Sequence, residues 1–348
     1  MWLMAQSNVA VKNIAEKLAE TGFFDFKLLV SLDFHFDWHE HLYHKIERNV
    51  IRSDDFSTLG RRLGGCKIIL CTLAMLCHPN LGTSGVLQLA PIHTVILDEA
   101  SQIEVGDYLP LLSKFGRQLR KLVFIGDDKQ LAPFGQDDIG NLRSVFELDH
   151  LQTNVVFLDT QYRMPTPLGD FLSQHVYDDQ LLSVHAIPAR KSCRFVDIHH
   201  GRERKLGNSW VNTEEVQAVI HIARKYAAAG KSYRIITPYD AQRSTIERSL
   251  KEASIPWEDK CFNVDSFQGN EADHIILSVV RSDKVGFLRN LRRSNVMLSR
   301  CKRSMMICTN RHFLEGVASE TLLGKLADEW TTAGQEWLNW RDILASRF

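Results

Sequence analysis

No stretch of the 348 residues approaches the roughly 18 consecutive apolar residues of a membrane-spanning helix, because charges interrupt every hydrophobic run. The first residues, Met1 to Asn8, lack both a basic segment and the longer apolar core of a secretory signal. No net charge is present either, since 42 Lys and Arg balance 42 Asp and Glu, so there is no global electrostatic attraction to nucleic acid. The seven cysteines (Cys66, Cys71, Cys77, Cys193, Cys261, Cys301 and Cys308) form no C-x-x-C pair. They read as reduced thiols, with the nucleus or cytoplasm as the expected compartment and no structural zinc. Repeats and low-complexity tracts are absent as well.

One further absence matters for chemistry. No G-x-x-x-x-G-K-[ST] loop, whose backbone N–H groups cradle nucleotide phosphates, occurs anywhere. Gly230-Lys231-Ser232 has the final tripeptide, but residue 225 is Lys225 and the tripeptide precedes a strand, whereas a phosphate loop follows one and opens a helix. Gly324-Lys325 continues into Leu326.

What is present is ordinary globular material, 44% apolar and 24% charged, enough for about two domains of roughly 150 residues. Short apolar runs alternate with helical patterns, the signature of α/β architecture with parallel sheets. Strands are expected at Trp2 to Ala5, Lys67 to Cys71, His93 to Asp98, Lys121 to Ile125 and Val155 to Leu158. A second set is expected at Cys193 to Ile198, Tyr233 to Thr237, Cys261 to Val264, His274 to Val280 and Ser304 to Thr309. This divides the chain into a first domain at 1–156, a second at 157–316 and a helical tail at 317–348 that carries Trp330, Trp337 and Trp340. Residues from about 23 to 64, rich in His, Phe and charge, read as a helical insertion. His35 and His39, and His41 and His44, have helical spacing there, but the H-E-x-x-H pattern would need His where Tyr43 stands, so no metal site is expected.

The most informative segment is Val95-Ile96-Leu97-Asp98-Glu99-Ala100-Ser101-Gln102, an apolar run that ends in two acids. A buried strand releasing Asp and Glu at its C-terminal end sets both at the rim of an α/β sheet, where ligands bind. Asp98 could there hold a Mg²⁺ bridging nucleotide phosphates, and Glu99 could orient or deprotonate water. Taken alone, the pair also fits a solvated strand end or a helix N-cap with a first-turn acid. Gly126-Asp127-Asp128-Lys129-Gln130-Leu131-Ala132-Pro133 ends a second strand and brings Gln130 to the same rim. Gln161-Tyr162-Arg163-Met164 offers a ring that can stack on a base and a guanidinium that can reach phosphate. Val264-Asp265-Ser266-Phe267-Gln268-Gly269-Asn270-Glu271-Ala272-Asp273 precedes a strand, and Ser294-Asn295-Val296-Met297-Leu298-Ser299-Arg300-Cys301-Lys302 closes the series. Val296, Ser299 and Arg300 share one face at helical spacing, which would direct Arg300 toward a cleft between the domains. Between Arg281 and Arg303, eight cations face the single acid Asp283, either a phosphate-binding face or a solvated helix surface.

In this order the motifs resemble those of superfamily 1 RNA and DNA helicases, in the group that includes the nonsense-mediated-decay helicase and senataxin. The likeness runs from about Ala5 to Asn310, and Gln6 to Val11 looks like motif Ia. It implies two RecA-like parallel-sheet domains of the P-loop NTPase fold, the first incomplete at its N-terminus, and ATP with Mg²⁺ as cofactors. It further implies that Asp98 coordinates Mg²⁺, Glu99 activates water and Gln130 couples the γ-phosphate to nucleic acid. Tyr162 would stack on the base, Glu271 would contact ribose within the nucleotide-binding motif that includes Gly269, and Arg163 and Arg300 would act as arginine fingers. Ser7, Asn8, Thr72, Pro133, Thr237, Pro238 and Ser266 would line a groove for single-stranded RNA or DNA, through backbone contacts largely independent of sequence.

The sequence departs from the family pattern mildly at Ala132 and Cys301, and seriously in lacking the phosphate loop that precedes motif Ia. The expectation is the C-terminal part of an ATP-dependent helicase or translocase, deficient in hydrolysis by itself. A non-catalytic nucleic-acid-binding or scaffold protein derived from a helicase is the alternative.

Overall fold

The computed structural model describes residues 1–32, 43–136 and 139–345, which form two compact units, Met1–Val155 and Val156–Phe348. In the first unit the strands are β1 (Trp2–Ala5), β2 (Lys27–Val30), β3 (Val50–Arg52), β4 (Ile69–Thr72), β5 (Thr94–Leu97) and β6 (Lys121–Phe124). All pair in parallel, in the order β3-β2-β4-β1-β5-β6.

Side-chain alternation explains how this sheet is buried from both sides. Trp2, Met4, Leu29, Ile69, Cys71, Val95 and Leu97 point into one core, while Ala5, Leu28, Val30 and Leu70 point into another with Val11 and Ala15 of the helix Asn8–Glu20. Trp2 is fully buried and donates its indole N–H to the Ala90 carbonyl at 2.9 Å. Residues 23–64 correct the expected helical insertion, because β2 and β3 within it are sheet strands. Lys27-Leu28-Leu29-Val30 is too short a run for its periodicity to separate strand from helix. His35, His39 and His41 lie outside the described residues.

The second unit contains β7 (Thr160–Gln161), β8 (Leu182–Ser183), β9 (Cys193–Asp197), β10 (Arg204–Leu206), β11 (Ser209–Val211), β12 (Tyr233–Thr237), β13 (Cys261–Asn263), β14 (Ala272–Ser278), β15 (Cys301–Thr309) and β16 (Leu338–Asn339). Six of them form a parallel sheet in the order β13-β12-β14-β15-β9-β16. Ile235, Ile276, Met306 and Val196 meet Val216, Ala223 and Ile246 from the helices Thr213–Ala228 and Asp240–Glu252. Asn212 caps the first of these helices by accepting the Glu215 N–H, and Glu214 and Glu215 occupy its first turn.

Two expectations fail here. Val155 to Leu158 belongs to no strand, and all four residues are exposed, because an apolar β-branched run becomes a strand only when a neighbouring edge takes its hydrogen bonds. The C-terminal stretch is not purely helical. After the helix Leu322–Thr332 the chain adds β16 to the edge of β9 before the short helix Trp340–Leu344. All seven cysteines are free. Among the described residues no helix is long and apolar enough to cross a membrane.

Trp330 fixes the C-terminal helix. It is 2% exposed, its indole N–H is shared between the carbonyls of Cys193 (3.0 Å) and Arg190 (3.1 Å), and its ring meets Phe171 edge-on. Replacing it with alanine removes this anchor and leaves a cavity, so Trp330→Ala should destabilise the second unit by about 3 to 5 kcal/mol. Urea unfolding followed by circular dichroism checks this; a loss below about 1 kcal/mol would mean that the helix is held elsewhere.

Candidate functional site

In the first unit the candidate residues gather because every parallel strand leaves the sheet at the same edge. Ser7 and Asn8 follow β1, Thr72 ends β4, Asp98 and Glu99 follow β5, and Gly126 to Gln130 follow β6. Asp98 is held by its backbone, its N–H donating to the Met4 carbonyl at 2.8 Å. Glu99 then turns the chain through the left-handed region, with φ of 52°, and its N–H donates to Asp98 Oδ1 at 3.0 Å. The next strand end packs directly against this turn. Ala100 N–H donates to the Ile125 carbonyl at 2.9 Å, and a Cβ on Gly126 would lie 2.9 Å from the Ser101 nitrogen, so only glycine fits. Gln130 is held in the following turn, its side-chain amide donating to Asp127 Oδ2 at 2.7 Å.

The electrostatics of the acid pair are unfavourable as they stand. Burial pushes the Asp98 carboxyl up to about 6, and the adjacent Glu99 charge adds to the rise against one stabilising N–H bond. A partly buried carboxylate beside a second one fits a divalent cation, which would compensate both charges. The groove candidates divide by exposure. Ser7 is exposed, and its hydroxyl caps the following helix by accepting the Ala10 N–H at 3.1 Å, leaving its own proton available to donate. Asn8 and Thr72 are half-buried, whereas Pro133 is buried.

In the second unit the candidates fall at two opposite edges of the sheet. At the N-terminal ends of β14 and β15, Glu271 joins two cations, with Arg163 Nε at 2.6 Å from one carboxylate oxygen and Lys302 Nζ at 2.8 Å from the other. Burial alone would raise the Glu271 carboxyl, but the hydrogen bonds and charges of Lys302 and Arg163 prevail and hold it down to about 2. The Gln161 side chain shapes the turn beneath, accepting the N–H groups of Arg163 (3.0 Å) and Met164 (2.8 Å). Tyr162, 69% exposed on that turn, presents an open ring face. Gly269, with φ of 75°, bends the segment leading to Glu271.

Arg300 departs from expectation. It is 2% exposed, and its guanidinium donates to the Val296 carbonyl and the Ser299 hydroxyl, both at 2.9 Å. The reason is that the helix Leu291–Leu298 ends before Ser299, so the shared helical face never forms. At the other edge, Pro238 is half-buried after β12 and Ser266 is exposed after β13, but Thr237 is fully buried and lies beneath the rim. The basic run from 281 to 303 is not one face. Arg281 pairs with Glu203, Arg293 with Asp265, Lys302 with Glu271 and Arg303 with Asp273.

The sequence reading missed a buried polar network at the end of β14. Glu215, fully buried, accepts from the Ser278 hydroxyl (2.6 Å) and the Val280 N–H (2.9 Å), while Gln242 donates to Ser278 (2.8 Å) and Asn212 to the Val280 carbonyl (3.1 Å). These bonds hold Val280 at φ of 72°, a left-handed conformation that a β-branched residue rarely adopts. Its only sequence signal is a Glu on the apolar face of a helix.

Two RecA-like parallel-sheet units, one with an acid pair and an amide at its rim and the other with paired arginine and lysine at a strand edge, define a two-domain helicase fold. Known proteins agree. Residues 40–136 and 142–312 match two family models, each described as an AAA domain. The probable helicase senataxin of Homo sapiens is 30% identical over 305 residues, which cover 75% of this chain and 11% of that protein. An uncharacterized ATP-dependent helicase of Methanocaldococcus jannaschii is 28% identical over 78% of this chain and 43% of its own length. The DNA polymerase alpha-associated DNA helicase A of Saccharomyces cerevisiae is 27% identical over 94% of this chain and 54% of its own. The chain belongs to the superfamily 1 helicases, in the group of senataxin and the nonsense-transcript regulators. It spans between 11% and 54% of the length of the three relatives described.

Glu215 gives a pH test of the network. Burial outweighs its hydrogen bonds and lifts its carboxyl to about 8, so folding takes up a proton between the unfolded value and that one. The stability it contributes is complete below the unfolded value and is lost as pH rises through about 8. Glu215→Gln, which cannot ionise, should therefore gain stability relative to the parent between pH 5 and pH 8, by about 1 kcal/mol or more. Equal pH dependence of the two urea midpoints would show that Glu215 is already ionised in the folded chain.

Proposed function

We propose that this chain works within an ATP-dependent helicase or translocase that moves on single-stranded RNA or DNA. The observation that carries the reading is the strained turn at Asp98 and Glu99, a half-buried acid pair packed against the strand end that holds Gln130. Asp98 would hold Mg²⁺, which when bound neutralises phosphate charge. Glu99 orients water, and Gln130 stands at the neighbouring strand end to sense it. In the second unit Tyr162 offers its face to a base, and Arg163 supplies positive charge from an orientation set by Glu271. Glu271 uses both oxygens on cations yet keeps lone pairs for ribose hydroxyls. Arg300, buried on its own backbone, supports the Arg163 turn from below: the Ser299 carbonyl beside it accepts from Arg163 at 3.5 Å.

The phosphate cradle must come from residues outside these 348. Supporting this, β6 is an edge strand whose Leu122, Val123 and Phe124 stay half-exposed, an apolar margin suited to one more parallel strand. Without backbone N–H groups and a lysine around the β- and γ-phosphates, transition-state charge goes unstabilised. The absence of that loop also favours a second reading, a helicase-derived protein that binds nucleic acid without hydrolysis.

The 348-residue chain should bind single-stranded homopolymers of RNA or DNA in filter binding, with affinity falling as salt rises, and should ignore a neutral polymer. Its polynucleotide-stimulated ATP turnover should stay well below ~1 s⁻¹, the low end of enzyme rates. Failure to bind either polymer defeats the nucleic-acid reading, and turnover at or above that rate defeats the need for an outside phosphate loop.

A further inference from the structure

The hairpin of β10 and β11 contributes little to the core, only Val211 at its end being buried. Its strands are three residues each, they pair antiparallel around Gly207, and they are separate from the six-stranded sheet. Arg204, Lys205 and Leu206 are all exposed. A two-stranded ribbon this short does not hold its shape alone in water.

Its base is nevertheless fixed with unusual thoroughness. Glu203, just before β10, receives Arg281 at both carboxylate oxygens (3.0 and 2.9 Å), and the N–H groups of Ser282 (2.7 Å) and Asp283 (3.0 Å). The two charged side chains are only 6% and 8% exposed. Glu203 returns its own N–H to the Ser282 hydroxyl at 3.0 Å. Trp210 of β11 lies under the same guanidinium, 4.1 Å from ring centroid to Arg281 Cζ. On the other side, the Ser209 hydroxyl accepts the Ala241 N–H at 3.2 Å, at the start of the helix that follows β12.

These anchors place the hairpin at the C-terminal edge of β12 and β14, the edge occupied by Pro238. Tyr239, next in the chain, accepts from Arg281 (3.5 Å) and from the Phe287 N–H (3.3 Å). The hairpin displays only positive charge there. Arg202, Arg204 and Lys205 are exposed, and the one acid between His199 and Val211, Glu203, is consumed by Arg281. A buried ion pair gives little net stability because desolvation offsets its attraction. What it does give is position, here for three cations.

We propose that the β10–β11 hairpin is a second contact for a single-stranded polynucleotide, with Arg202, Arg204 and Lys205 taking backbone phosphates of the strand that crosses Pro238. This rests on the nucleic-acid reading above and adds to it a site of stated chemistry, the phosphodiester backbone of RNA or DNA without base selection. Two pair variants of the 348-residue chain test it at equal charge loss. Arg204→Ala with Lys205→Ala removes hairpin cations, while Arg224→Ala with Lys251→Ala removes exposed cations late in the helices Thr213–Ala228 and Asp240–Glu252. Binding of fluorescent oligo-dT and oligo-U is measured by anisotropy across a salt series.

The hairpin pair should weaken binding on the order of tenfold near 0.15 M salt and flatten the plot of log K against log salt by about 0.7 for each phosphate no longer neutralised. The helix pair should leave the slope unchanged. If the parent binds and the two variants behave alike, the hairpin site is overturned while the nucleic-acid reading stands. If the parent binds neither oligonucleotide, both fall.

Discussion

The candidate sites at the sheet edges depend on the strands of each six-stranded sheet all running in one direction. Parallel pairing sends every C-terminal end to one edge and every N-terminal end to the other, and apolar alternation keeps polar side chains out of the sheet interior. Polar groups therefore accumulate at the edges. In the first unit that edge collects Ser7, Thr72, Asp98, Glu99 and Gln130 from four strands far apart in sequence. No side chain needs a long reach, since adjacent parallel strands lie about 4.8 Å apart.

The second unit divides its chemistry between both edges. Arg163, Glu271 and Lys302 meet where β14 and β15 begin, whereas Pro238, Tyr239 and the clamped turn at 280–283 lie where β12 and β14 end. β14 connects the two, and its far end is the most constrained backbone in the unit. Glu215 and Glu203 hold the turn by its N–H groups, one from beneath the sheet and one from the hairpin, so that Val280 stays in a conformation its side chain opposes. Strain of this kind costs on the order of 1 to 3 kcal/mol and persists only where its surroundings over-determine it.

Much of this was legible in the sequence, for identifiable reasons. Strands such as Val95-Ile96-Leu97, buried on one face and half-buried on the other, and Ile275-Ile276-Leu277, buried on both, are continuous apolar runs ending in polar residues, so strand and rim could be read together. β2 and β3 escaped notice because three or four residues carry no distinguishable period, and β16 because pairing with β9, not its own composition, makes it a strand. Val155 to Leu158 failed in the opposite sense, having strand composition without an edge to join. At the site, the helical spacing that would direct Arg300 toward a cleft does not hold, since one residue at a helix end decides whether a guanidinium leaves the fold or turns back to its own Val296 carbonyl. Glu203 carried no legible signal, and Glu215 only that of a Glu on the apolar face of a helix. Their partners are separated from them by roughly sixty to eighty residues, and long-range hydrogen bonding leaves no local pattern.

The acid pair at the end of β5 shows how the separate parts constrain one another. Asp98 has its N–H tied to β1, and the turn that follows packs against Gly126. Directly after Glu99, the Ala100 N–H bond to Ile125 joins the two strand ends. Burial first, and the neighbouring Glu99 charge second, hold the Asp98 carboxyl up to about 6. In the proposed function a divalent cation would compensate that charge, with nucleotide phosphate oxygens completing its shell. The turn at Asp98 and Glu99 is thus the part of the first unit on which the proposed nucleotide reading rests most directly, because two sheet strands and a required glycine fix its backbone.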